Sequence, residues 1–149
     1  MNKIKRNARN AYTLIELIIS VTLISFISGI SIPVYLNFEF NNEIEVTKNE
    51  IVLSLRNAQT FAKFQNSDSS WGVEIQTGKI TLFQGIVFAS RDATYDNVYA
   101  VPSRIVFTGL SEVIFTKFTG IPSQNGSITL KNANTTRIIS INSQGTIND

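Results

Sequence analysis

The sequence contains no cysteine and no histidine. Without cysteine there is no disulfide framework and no thiolate metal site, and without histidine the commonest general base and the commonest metal ligand are both missing. No carboxylate pair stands out as an acid/base constellation, so the inventory points away from an enzyme and calls for no cofactor. Charged residues make up 16% of the chain against 43% hydrophobic, a globular rather than a disordered balance. At 149 residues there is room for one domain of ordinary size and a terminal segment. Nothing repeats at a fixed period, and no Gly/Ser or Pro linker marks a second domain.

What charge there is lies unevenly. Of the thirteen cations, Lys3, Lys5, Arg6 and Arg9 precede Ala11, which leaves nine against eleven acids in the remainder. The net charge of +2 therefore belongs to the leader, not to the fold. From Leu14 to Leu36 the only charge is Glu16. Helical at 1.5 Å per residue, that run extends roughly 35 Å, enough for a hydrocarbon core of about 30 Å. The cations in front would keep the N-terminus in the cytoplasm and send the rest out. A carboxylate inside such a run costs roughly 2.5–3.5 kcal/mol on insertion scales, so something must repay Glu16.

Three readings compete for this segment. A cleaved secretory signal has a shorter apolar region, about 7–15 residues, and small residues at its cleavage site. Here the run is longer and continues into "PVYLNFEFNNE". A plain signal anchor fits length and flanking charge but leaves Glu16 unexplained. The third reading accounts for the acid: "AYTLIELIISVTLISFISGISIP" resembles the prepilin-type cleavage and methylation signature of type IV pilins and type II secretion pseudopilins. The resemblance implies that prepilin peptidase cuts between Ala11 and Tyr12 and that the new amino terminus, on Tyr12, is N-methylated. It implies that Glu16, fifth in the mature chain, pairs with the terminal amine of a neighbouring subunit during assembly. Pro33 falls where the family has a helix kink. The pattern departs from the family in having Ala11 where glycine is usual and Tyr12 where phenylalanine is usual. Both substitutions keep a small residue followed by a ring.

Beyond "NFEFNNE", Ile44, Ile51, Leu55, Ala58 and Ala62 form one apolar stripe at helical spacing, so an amphipathic helix is expected to about Phe64. "QNSDSS" ends it. From Trp71 the period falls to two: "WGVEIQ" and "KITLF" read as a hairpin. Further strands are expected at 86–89, 99–108, 113–118, 127–131 and 136–142, with a short one at 145–147. "SRDATYDNVYAVPS" shows no period and reads as an exposed loop. The expected organisation is a leader at 1–11, a transmembrane and assembly helix at 12–36, an amphipathic helix at 37–65 and a β-rich head at 66–149. The fold class is α+β, a long N-terminal helix on antiparallel sheet. The order of elements also resembles the GspH/FimT-type minor pseudopilins, in "IFTKFTGIPSQNGSITLKNANTTRIISINSQGTI" among other stretches.

Trp71 at the start of an alternating strand reads as core, and Phe83, Phe88, Phe107, Phe115 and Phe118 as core or sheet-face residues. Asp92 and Asp96 read as solvated loop charges, not as a calcium site. Arg56, Lys79, Arg91, Arg104, Lys117, Lys131 and Arg137 are scattered singly, whereas phosphate neutralisation needs clustered cations. The stretch "QGTIND" carries no cation where the family's DNA-binding members have an arginine-bearing motif. Nucleic acid is therefore not an expected partner.

The expected function is a minor pilin or pseudopilin, a structural subunit of a type II secretion or type IV pilus filament or tip complex. Its expected partners are other such subunits through the N-terminal helix, prepilin peptidase, and inner-membrane lipid before assembly. Its expected location is the cytoplasmic membrane, crossed once, with the head outside. Two alternatives stand beside this: a DNA-binding minor pilin of a competence pilus, and a plain membrane-anchored binding domain.

Overall fold

A computed structural model describes residues 13–64, 69–133 and 135–149, except for the side chains of 30–37. Helix α1 spans Leu14–Phe64. The chain divides into two compact units, Met1–Asn37 and Phe38–Asp149. The second unit is the head.

In the head, α1 presents Ile44, Ile51, Leu55, Ala58 and Ala62 as one buried stripe, widened by Val52 and by the hydroxyl residues Thr47 and Ser54. Such a stripe must be covered by another layer. Two antiparallel four-stranded sheets provide it. Their strands are β1 (Trp71–Gln76), β2 (Lys79–Gln84), β3 (Asp92–Ala100), β4 (Val106–Gly109), β5 (Glu112–Phe115), β6 (Gly126–Lys131), β7 (Thr136–Ile141) and β8 (Ile147–Asn148). The orders are β3-β2-β1-β5 and β4-β6-β7-β8. A single core cluster joins the helix stripe to Val73, Ile80, Leu82 and Phe115 of the first sheet and to Ile128, Leu130, Ile139 and Ile141 of the second. The fold is α+β, with the helix packed on antiparallel sheet.

The β1–β2 hairpin runs in register from Trp71↔Gln84 to Gln76↔Lys79. Gly72 lies directly opposite Phe83, and a Cβ added there would sit 2.6 Å from the Phe83 ring. The absent side chain is what lets that ring lie flat on the sheet, fully buried.

Several expected elements differ. Residues 86–89 form no strand: Gly85 bends the chain and Phe88–Ser90 makes a 3-10 turn. That turn is held from a distance, by Phe88 packed edge-on against Phe83 at 5.3 Å and its N–H donating to Glu112 Oε1 at 2.7 Å. The expected loop over 90–103 is largely β3, an edge strand exposed along most of its length, which is why no apolar alternation marks it. The expected strand 99–108 breaks at a turn, closed by Ile105 N–H donating to the Pro102 carbonyl at 3.1 Å, and the chain passes there from the first sheet to the second. The strand expected over 113–118 stops at Phe115.

Phe118 is neither core nor sheet face. It is 69% exposed in a turn at φ 65°, and its N–H donates to the Ala62 carbonyl at 2.8 Å, satisfying one of the open acceptors at the end of α1.

The chain returns from the second sheet to the first through Gly109, at φ 94°, where a Cβ would lie 2.1 Å from the Ser127 carbonyl oxygen. Backbone cannot yield to that contact, and L side chains are disfavoured at such φ. Gly109→Ala is expected to destabilise the head by about 1–3 kcal/mol. Gly78→Ala shares the positive φ but meets nothing within 4 Å, so it should cost less. Urea unfolding of the two variants measures the difference.

Candidate functional site

The first unit begins with a helix start built by Thr13. Its carbonyl accepts the N–H groups of Glu16 (3.1 Å) and Leu17 (3.2 Å), and its Oγ1 lies 3.4 Å from Glu16 N. Thr13 thus meets the Glu16 N–H, one of the donors that the first turn leaves open. Glu16 stands in that turn, where the positive end of the helix dipole favours a carboxylate.

After Glu16 the helix is apolar on every side. Leu14, Ile15, Leu17, Ile24 and Phe26 are each more than 60% exposed, and Ile18, Ile19, Val21, Leu23 and Ile27 are exposed as well. Three of the intervening hydroxyls turn back on the helix: Ser20 donates to the Glu16 carbonyl at 2.7 Å, Thr22 to Ile18 at 2.9 Å and Ser28 to Ile24 at 2.8 Å. Their hydrogen bonds need no water. Burial is worth about 1.5–3 kcal/mol for each large apolar side chain, so covering this surface outweighs several-fold the ~2.5–3.5 kcal/mol cost of placing one charge in an apolar medium. A helix apolar all round calls for lipid or other helices around it. Among the described residues no helix is long and apolar enough to cross a membrane; the described side chains of this segment end at Gly29.

Residues 6–32 match the family model of the prokaryotic N-terminal methylation motif. The chain carries a prepilin-type N-terminus. No curated protein and no solved structure matches it significantly. Of the residues singled out in the sequence, Glu16 is the one this geometry describes fully. Ala11 and Tyr12 lie outside the described residues, as does the side chain of Pro33, although the backbone is helical through that position.

In the head of this prepilin-like chain, three of the scattered cations prove to be engaged by carboxylates. Arg104 is paired with Glu43, and its Nη2 lies 3.3 Å from Glu39. Arg137 Nε lies 2.9 Å from Glu45, which also holds Lys48 at 2.6 Å; Lys48 in turn reaches Asp149 at 3.3 Å. Arg91 Nε sits between both oxygens of Asp96, at 2.9 and 2.8 Å, with its guanidinium 3.7 Å above the Phe88 ring. Asp96 is therefore not a solvated loop charge; Asp92, fully outside, is met by Thr94, through its N–H at 2.9 Å and its side chain. Among the described residues no group of three or more acids stands close enough to hold a metal ion. Trp71 is buried, edge-on to Phe61 at 4.9 Å.

These pairs carry electrostatic consequences. Hydrogen bonds from Lys48 and then Arg137 hold the Glu45 carboxyl below its usual range, and Glu43 raises the Arg104 guanidinium. Burial pushes Glu74 up, opposed by the Gln76 hydrogen bond. Sequence separation hides most of them: Arg104 and Glu43 are 61 residues apart, Arg137 and Glu45 92. Only Glu45 and Lys48, three apart on a helix, could have been matched in advance.

Because Glu45 titrates lower folded than unfolded, its contribution is complete above the ordinary carboxylate range and is lost as pH falls through the folded value. Melting temperature measured from pH 7 to pH 2 should fall less steeply in Glu45→Gln than in the parent chain. Equal slopes would show the pairing to be energetically silent.

Proposed function

We propose that this prepilin-like chain is a minor pilin or pseudopilin, a structural subunit that joins a short filament or its tip complex. The observation that carries the reading is the helix from Leu14, apolar on every face, with a single acid in its first turn. On this reading the chain enters the cytoplasmic membrane with its basic leader inside. Prepilin peptidase then cuts between Ala11 and Tyr12. The freed amine, methylated on Tyr12, then shares apolar surroundings with the Glu16 carboxylate of a neighbouring copy. Each alone is heavily penalised there, and together, across two staggered subunits, they attract far more strongly than in water. The pair penalises wrong stagger more than it stabilises the right one, and so sets the register. Pro33 removes an amide donor and provides a bend above the assembly segment.

The head's charges support a protein-contacting role over DNA uptake. Arg91, Arg104 and Arg137 are each engaged by carboxylates, which lowers their availability to phosphates. A plain anchored domain would need neither the motif nor the acid.

Co-expression with prepilin peptidase, followed by intact-mass measurement, tests the processing step. The expected product lacks residues 1–11 and carries one added methyl group on Tyr12. A chain that retains its leader in the presence of active peptidase would leave only the plain anchor.

A further inference from the structure

The open edge of the first sheet points to a second binding function, in the head alone and independent of the filament reading. β3 is the terminal strand of its sheet, and among the described residues nothing pairs with its far side. Val101 N–H donates to the Gly78 carbonyl at 3.0 Å, and the register continues as Ala100↔Lys79, Tyr99↔Ile80 and Val98↔Thr81. Bonded and non-bonded pairs alternate along an antiparallel ladder. The N–H and C=O groups of Val98 and Ala100 therefore face outward, available to another strand. An irregular register between Leu82 and Gln84 disturbs the start of β3, but the stretch from Asn97 to Ala100 stays regular and contains no charge and no proline to blunt it.

A groove of about 510 Å³ runs along this edge, between β3 and the head portion of α1. Five consecutive residues, 98–102, line it. Successive strand side chains point to opposite faces, so an unbroken run of lining residues marks a groove along the strand's edge, not one on its face. Val46 of α1 and Val98 of β3, 57% and 58% exposed, supply apolar walls. Glu50 closes one side. Its Oε1 is buried without a hydrogen-bond partner among the described residues, whereas Glu43 on the same wall is engaged by Arg104. A carboxylate oxygen withdrawn from water and left unpaired is costly, and a cation brought along the groove removes that cost.

We propose that the β3 edge and this groove bind an extended segment of another protein. The segment adds as a strand beside β3, sets an apolar side chain of one face against Val46 and of the other face beside Val98, and brings one lysine or arginine, on the Val46 face, to Glu50. The charge requirement selects this occupant over a second copy. β3, "DATYDNVYA", contains no cation, so pairing two β3 edges would leave both Glu50 carboxylates unanswered.

The test uses the full chain in detergent micelles and the peptide acetyl-Thr-Val-Val-Lys-Val-Val-Thr-amide, whose lysine shares a strand face with two valines, followed by amide chemical-shift titration. The expected result is saturable binding with the largest shifts at Val98 and Ala100. Binding should weaken roughly tenfold in Glu50→Gln or when glutamate replaces the peptide's lysine. Ala100→Pro, which removes an outward N–H without touching the bond to β2, should abolish it. If that variant does not fold, the Glu50→Gln comparison decides. No saturable binding at millimolar peptide, binding indifferent to Glu50 and to the peptide's charge, or self-association of the chain through β3 would each overturn the proposal.

Discussion

The structure depends on how one helix is covered. From Leu14 to Ser28, α1 has no polar face, and Ser20, Thr22 and Ser28 already donate to its own carbonyls. From Ile44 to Ala62, the same helix has a single apolar stripe, fully covered by two sheets. A helix apolar all round calls for lipid or other helices around it; the second part is covered within the head. The head has its own core, in which the helix stripe meets both sheets.

On the proposed reading, Glu16 gives association of such helices a direction. An all-apolar helix packs with little regard to axial position, because one leucine ridge resembles the next. A lone carboxylate makes most positions costly and one favourable, provided a cation waits at a fixed height. On the proposed reading, the terminal amine freed at Tyr12, four residues before Glu16, is such a cation. The head's ion pairs work differently: Arg104 with Glu43, and Arg137 with Glu45, fasten the sheets to α1 at an exposed surface, where each contributes little and all weaken in salt.

The parts legible in the sequence were those governed by short-range periodicity. The helix stripe and the β1–β2 hairpin announce themselves because burial repeats every three to four residues or every two. β3 does not, since an edge strand with both faces largely open has no reason to alternate. The 85–91 segment is ordered by Phe83 and Glu112, too distant in sequence to leave a local mark. Phe118 misleads for the opposite reason: an aromatic residue after a strand reads as buried, yet here its backbone caps the helix while its ring faces solvent. The methylation motif at residues 6–32 was legible, because its residues are consecutive. The groove beside Glu50 was not, because it exists only where β3 meets α1.

The most direct test of the account is the partition of Glu16→Ala protein between sheared filaments and the membrane fraction, in a host that assembles the parent chain. Breaking a buried ion pair by removing one partner costs about 3–5 kcal/mol, so the variant should be cleaved normally, remain in the membrane and fall in the filament fraction by more than about a hundredfold. Filaments that take up Glu16→Ala as readily as the parent chain would contradict it.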